Sequence, residues 1–163
     1  MPSFDVVNEL DIQEIDNAIN NTQREITSRY DFRNTVTEIG FNKKERKIHI
    51  LTADEMHMKA IKESLSLNMR KRGVDPRCLD FKNIIPTEKG QVVMDIEMKS
   101  GIEKDEAKKI VKFIKEMGLK VDGQIMDDQV RVSGKKIDDL QTVIGKLKEH
   151  EFSVPLQFVN MRS

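Results

Sequence analysis

KIHILTADEMHMKAI at residues 47–61 and QVRVSGKKIDDLQTV at residues 129–143 are the stretches whose reading decides the fold. Ile48, Ile50, Met58 and Ile61 fall 82 positions before Val130, Val132, Leu140 and Val143 (48 to 130, 50 to 132, 58 to 140, 61 to 143). In each copy the apolar residues first alternate, then step by three and four. A half-buried strand followed by an amphipathic helix has that pattern. Recurrence at a fixed spacing marks an internal repeat.

Working outward from the first copy, Phe4, Val6 and Asn8 alternate with Asp5, Val7 and Glu9 and predict a strand over 3–9. Asp11 is a good cap for a helix whose stripe is Ile12, Ile15, Ile19, Thr22 and Ile26, fading near Tyr30. Residues 36–40 and 47–51 read as strands around the polar turn 42–45. Thr52 and Glu55 have capping-box spacing, and the helix behind them carries Met58, Ile61, Leu65 and Met69 up to Gly73. A short strand at 79–84 closes the half.

Pro86-Thr-Glu-Lys-Gly90 then breaks the chain, and the order repeats. A strand at 92–98 leads to a second capping-box spacing, Ser100 and Glu103. The next helix turns Ala107, Ile110, Val111, Ile114 and Met117 inward as far as Gly118. Strands at 120–125 and 129–133 flank residues 126–128, a helix is marked by Ile137, Leu140, Ile144 and Leu147, and the last strand covers 156–161. Two copies of βαββαβ predict an α+β protein of tandem ferredoxin-like units, 1–87 and 88–163, each an antiparallel sheet with helices on one face.

Composition narrows the function classes. Among 163 residues, 28 basic side chains cancel 28 acidic ones, so no net charge draws nucleic acid or membrane from a distance. Charged residues make up 34% and hydrophobics 37%, regularly spaced, as in a folded chain with a charged surface. Cys78 is the one cysteine, so no intramolecular disulfide forms and a reducing compartment fits. The first ten residues lack the basic and apolar regions of a signal peptide, and no run approaches the roughly 20 apolar residues of a membrane span. The expectation is a cytoplasmic protein with no membrane partner.

The motifs exclude more than they assign. RNA-recognition modules share this topology but stack bases on aromatics of their third strand. The third strands here, 46–51 and 129–133, hold none, and Asp95 and Glu97 make one face of strand 92–98 repellent to phosphate. Ser133-Gly-Lys-Lys136 joins a strand to a helix, a setting for an anion at a helix N-terminus. It is not a P-loop, because position 129 is Gln where that motif needs glycine. Lys104, Lys108 and Lys112 form a row interleaved with Glu103, Asp105, Glu106 and Glu116, which reads as a solvated, ion-paired face. His49, His57 and His150 are far apart with no metal-ligand spacing, and Cys78 reads as packing. Met56, Met58, Met69, Met94, Met98 and Met117 read as core or near-core fillers. With no nucleophile–base pair, metal set or phosphate-cradling loop, the expectation is a binding protein without cofactor rather than an enzyme.

One stretch carries a ligand-binding pattern. Ile26-Thr-Ser-Arg-Tyr-Asp-Phe-Arg-Asn34 holds the only tyrosine, with Phe32 and two arginines. Tyr30, four residues past Ile26, is expected to continue the stripe and anchor the helix end, and Phe32 to pack under the following strand. Arg29 and Arg33 lie off the stripe and can grip a phosphate bidentately while a guanidinium plane or aromatic edge meets a base. They are the expected phosphate-binding edge, with Lys71 and Arg72 as helpers and Lys135 and Lys136 as further candidates.

Pro2-Ser-Phe-Asp-Val-Val7, Ser28-Arg-Tyr-Asp-Phe-Arg33, Lys71-Arg-Gly73, Lys108-Lys-Ile-Val-Lys112, Val130-Arg-Val-Ser-Gly-Lys135, Asp138-Asp-Leu-Gln141 and Gln157-Phe-Val-Asn-Met-Arg162 resemble the YajQ family over the whole chain. The resemblance implies bacterial cytosolic proteins of two ferredoxin-like domains that exchange their N-terminal strands, here 3–9 and 92–98. It implies binding of ATP, GTP or tRNA, and in some members a cyclic di-GMP effector role through a transcription factor. It supplies no catalytic residue. Two other readings stay open: an RNA-binding protein of RRM-like topology without the RNP aromatics, and a structural or protein-interaction module.

Overall fold

The computed structural model describes all residues, Met1–Ser163. Strand β1 (Ser3–Val7) is followed by helix α1 (Ile12–Ser28), a 3₁₀ turn (Tyr30–Phe32), strands β2 (Glu38–Asn42) and β3 (Lys47–Thr52), helix α2 (Glu55–Lys71) and strands β4 (Leu79–Phe81) and β5 (Ile85–Pro86). The order then resumes with β6 (Val92–Met98), α3 (Lys104–Glu116), β7 (Val121–Met126), β8 (Gln129–Gly134), α4 (Ile137–Glu149) and β9 (Gln157–Arg162). Four helices and two antiparallel sheets give the α+β class and the two ferredoxin-like units. No helix is long and apolar enough to cross a membrane.

The contacts divide into a continuous unit, Leu10–Lys99, and a discontinuous one, Met1–Glu9 with Ser100–Ser163. In the continuous unit the sheet order is β2-β3-β6-β4, with β5 also beside β6. In the discontinuous unit it is β7-β8-β1-β9. The strand 92–98 therefore lies beside β3 and β4, and the N-terminal strand lies between β8 and β9.

Each core is the apolar stripe read from the sequence. Ile15, Ile19 and Ile26 of α1 and Met58, Ile61, Leu65 and Met69 of α2 pack on Ile48, Ile50, Met94 and Ile96. Ile110, Ile114, Leu140, Val143 and Leu147 pack on Phe4, Val6, Val130 and Val132. Removing each such side chain from water stabilises by roughly 1.5–3 kcal/mol before ordering costs. The α1 stripe has one polar layer. Thr22 accepts a 3.0 Å hydrogen bond from the Asn68 amide, and Ser64 donates to Glu25 at 2.8 Å. Thr22 opposite Asn68 and Glu25 opposite Ser64 make the two helices antiparallel, so the end of α1 meets the start of α2.

Both capping boxes are corrected. Thr52 still belongs to β3, paired with Val92, and its hydroxyl shares a 2.9 Å hydrogen bond with Thr37. The cap of α2 is Asp54, which accepts from the His57 N–H. Before α3 the backbone donors are taken from elsewhere: Gly101 donates to the Asn8 carbonyl at 2.7 Å and Ile102 to the Asp128 carbonyl at 2.8 Å. Helix α3 then starts after Glu103, without a side-chain cap. Gly101 has φ +79°, and a Cβ there would meet Asp128 at 3.0 Å, so the position demands glycine. The Gly73 stop forms as expected, with Val74 donating to the Met69 carbonyl. Met56 is not a core filler. It is 74% exposed, one residue into α2 on the face away from Met58.

Candidate functional site

Helix α1 ends at Ser28 because Arg29 is extended (ψ 138°), and this resets the phase of the side chains that follow. The next three residues form a 3₁₀ turn, in which residues three apart eclipse one another. Arg29 therefore stands over Phe32, its guanidinium carbon 5.6 Å from the ring centre, and Arg33 over Tyr30 at 5.1 Å. Phe32 is buried, as expected, but Tyr30 is 81% exposed. The expectation that Tyr30 anchors the helix end is thus overturned: the α-helical period on which it rested stops two residues earlier.

The two arginines differ in what they hold. Arg29 grips Asp31 in a fork, Nε to Oδ1 at 2.9 Å and Nη2 to Oδ2 at 2.7 Å, which holds the Asp31 carboxyl below its ordinary range. The side chain of Arg33 has no hydrogen bond at all, and its contact is the face of Tyr30. The turn thus presents an exposed ring, a stacked guanidinium with all five donors available, and a second guanidinium with its Nη1 outside the fork.

His57, which the sequence left unassigned, ties this turn to α2. Its Nδ1 lies 2.7 Å from Asp54 Oδ1 and its Nε2 lies 2.7 Å from the Asp31 carbonyl oxygen. Both partners are acceptors, so only the doubly protonated imidazolium satisfies both contacts. The Asp54 carboxylate, then the Asp31 carbonyl, raise the His57 pKa above its ordinary value. Phe32 meets the imidazole edge-on at 4.8 Å. A histidine three residues into a helix whose cap is Asp was the available signal, but its second partner comes from the fold.

The helpers lie elsewhere. Lys71 and Arg72 close the far end of α2. From His57 to Lys71 the helix rises about 21 Å at 1.5 Å per residue. One phosphate cannot span that, and these two cations complement the helix C-terminus instead. Lys135 and Lys136 belong to the discontinuous unit, where with Lys120, Ser133, Asp122 and Asp139 they line a cleft of about 400 Å³. Helix α4 starts there without a side-chain cap.

The remaining reactive groups are occupied or masked. Burial pushes the Cys78 thiol up to about 11, so it stays protonated at neutral pH. His49 Nδ1 lies 2.6 Å from Asp95 on the exposed sheet face. His150 packs against Phe113 and Phe152 at 4.5 and 4.6 Å. No three His, Cys, Asp or Glu side chains come together as a metal-ligand set.

A family model described as nucleotide-binding protein, YajQ-like, matches residues 2–162. A nucleotide-binding protein of Nitratidesulfovibrio vulgaris (strain Miyazaki F) is 57% identical over 163 residues, covering all of both chains. One of Oleidesulfovibrio alaskensis is 53% identical over the same full length. One of Chloroherpeton thalassium is 44% identical over 160 residues, 98% of this chain and 97% of that protein. The chain belongs to the YajQ family.

Proposed function

We propose that this chain binds a nucleotide, as the names of its relatives say of them, that it does so without turning the nucleotide over, and that the 3₁₀ turn at Tyr30–Phe32 with its flanking arginines is where the ligand sits. The observation that carries the reading is Tyr30, 81% exposed with the unpartnered Arg33 guanidinium stacked on its ring. An exposed aromatic face is a platform for a base, and stacking on it contributes about 1–3 kcal/mol per base. Arg33 then meets the phosphate with its fork, and Arg29 adds Nη1 while Asp31 fixes its plane.

The protein supplies its own reporter. Tyr30 is the only tyrosine and there is no tryptophan, so intrinsic fluorescence reads this one ring. Titration with ATP, GTP, cyclic di-GMP and tRNA should quench it saturably for the true ligand class, with unchanged nucleotide recovered afterwards. The double variant Arg29→Ala/Arg33→Ala should bind about tenfold more weakly, about 1.4 kcal/mol, with little change in melting temperature. Saturable binding with Tyr30 fluorescence unmoved rejects this placement. Sustained hydrolysis rejects the non-catalytic reading.

The cleft at Lys135 and Lys136 supports a second placement of the phosphate, at the uncapped start of α4. There Lys135→Ala/Lys136→Ala would carry the tenfold loss instead, and the arginine pair would be silent. Weak, base-indifferent binding in both series would favour a protein-interaction module. A response to one cyclic dinucleotide, with a protein partner captured only in its presence, would favour a signalling effector.

A further inference from the structure

The discontinuous unit holds a buried carboxylate that neither placement uses. Asp5, on the central strand β1, is 2% exposed, yet it lies on the sheet face away from Phe4 and Val6. It faces Arg131 across the β1–β8 ladder. Arg131 donates to Asp5 Oδ1 through Nε alone, at 2.9 Å, and neither terminal nitrogen has a partner. The second oxygen, which would close the usual fork, accepts from the Asn160 amide at 3.0 Å.

That arrangement is held in place at some cost. Asn160 has φ +56°, in the left-handed region, where the β1–β9 register shifts between Ser3 and Asp5. Bulges of this kind re-aim a side chain, and here the re-aimed amide occupies the oxygen that Arg131 would otherwise share. A buried carboxylate that only stabilised the sheet would do better with both oxygens on the guanidinium. This one fixes the guanidinium by its side and leaves the Nη pair outward.

Other unpartnered donors share the face. Ser3 pairs in register with Ser133 on one side and with Arg162 on the other, and none of the three side chains has a hydrogen bond. The Arg162 charge reaches far enough to act on Asp5. Two other carboxylates border this corner: Asp122, opposite Ser133 on β7, and Asp139, which lines the cleft beside Ser133. We propose that the Arg131 fork, with the Ser3 and Ser133 hydroxyls and Arg162, is a phosphate-binding site on the open face of the β7-β8-β1-β9 sheet, fixed by Asp5 and Asn160.

The site takes a tetrahedral oxyanion: the fork donates to two oxygens and the hydroxyl pair to a third. It does not rest on the ligand placement at Tyr30, which lies in the other unit. Amide and arginine side-chain NMR with inorganic phosphate at low ionic strength tests it, with chloride as the control. Phosphate should shift Ser3, Ser133 and the Arg131 Nε signal together. Arg131→Lys keeps the charge beside Asp5 but loses the fork, and should weaken binding at least fivefold. Ser3→Ala/Ser133→Ala does so without touching the buried pair, which covers the case of a misfolded arginine variant. Arg29→Ala/Arg33→Ala should leave these shifts intact, so failure here and failure at Tyr30 are told apart. ATP and a short single-stranded oligonucleotide then distinguish a mononucleotide from a polymer backbone as the phosphate source. Equal binding by Arg131→Lys, or shifts confined to Lys135 and Lys136, would overturn the site.

Discussion

His49 on β3 and Arg131 on β8 are 82 positions apart (49 to 131) and hold equivalent places in their sheets. Each faces an aspartate across the central strand pair, His49 opposite Asp95 of β6 and Arg131 opposite Asp5 of β1. The pairs are similarly close, 2.6 and 2.9 Å. Their surroundings differ. In the continuous unit both side chains are 59% exposed, whereas the Asp5 side chain is 3% exposed and has Asn160 as a second partner. A third pair, His57 with Asp54 at 2.7 Å, lies between them, with the imidazole 16% exposed. Distance hardly separates the three. Burial does, because water screens the exposed pair and leaves the buried carboxylate dependent on its partners.

The largest test removes the strand that carries Asp5. We propose that β1 and β6 are reciprocally exchanged between the halves of the repeat, a reading supported by β1 lying between β8 and β9 and β6 beside β3 and β4. Deleting Met1–Glu9 takes Phe4 and Val6 from the core and two of the three ladders from the sheet, β1–β8 and β1–β9. The amides of residues 121–162 should collapse to disordered shifts, while those of β2, β3 and β6 keep their dispersion. Native-like shifts for β7 and β8 in the truncated chain would end the exchange reading.

Next in size is Asp5→Ala. It strands Asn160 and Arg131, and with Arg131 still partly hydrated the expected destabilisation is about 2–3 kcal/mol. Chemical denaturation checks it. Arg131, then Asn160, hold the Asp5 pKa below its ordinary value. Its contribution is therefore present above about pH 3.9 and is lost as pH falls through the depressed folded value. An acid transition of the β7-β8-β1-β9 sheet that Asp5→Ala leaves unmoved would contradict that sign.

His57 is the intermediate case, and its pH dependence runs the other way. Its folded pKa is raised, so the clamp on the 3₁₀ turn is fully present below about pH 6.5 and is lost as pH rises through the folded value. His57→Gln should cost about 1 kcal/mol at pH 5.5 and less at pH 9. A penalty that grows with pH would mean the imidazole works as a neutral ring.

How far the sequence reached follows the same line of burial. The stripes of Ile15, Ile19 and Ile61, or of Val130 and Val132, were legible because a periodic apolar pattern has one physical outcome, a face turned to the core. Caps were less legible: Thr52 and Ser100 had capping spacing, but strand pairing at one and competing acceptors at the other moved the helix starts. Tyr30 was misread because one extended residue, Arg29, resets the side-chain phase, and nothing in the one-dimensional pattern marks that. The Asp5–Arg131 contact joins residues 126 apart. Only the sheet order brings them together, so the site they build had no local signal.

The smallest expected effect is the sharpest control on the comparison. Asp95→Ala removes the partner of His49 but uncovers nothing buried: both groups already face water. Exposed ion pairs of this kind contribute 0–1 kcal/mol, and the neighbouring ladder of Lys47, Glu97, Lys82 and Asp80 keeps the face charged in the variant. Denaturation should place Asp95→Ala within about 0.5 kcal/mol of the parent, against 2–3 for Asp5→Ala in the equivalent slot. A double-mutant cycle with His49→Ala should give a coupling of the same small size, falling further in salt. If Asp95→Ala instead costs as much as Asp5→Ala, burial is not what separates the two sheets, and the 2.6 Å contact to His49 holds its strands together as firmly as the Asp5 network holds the other.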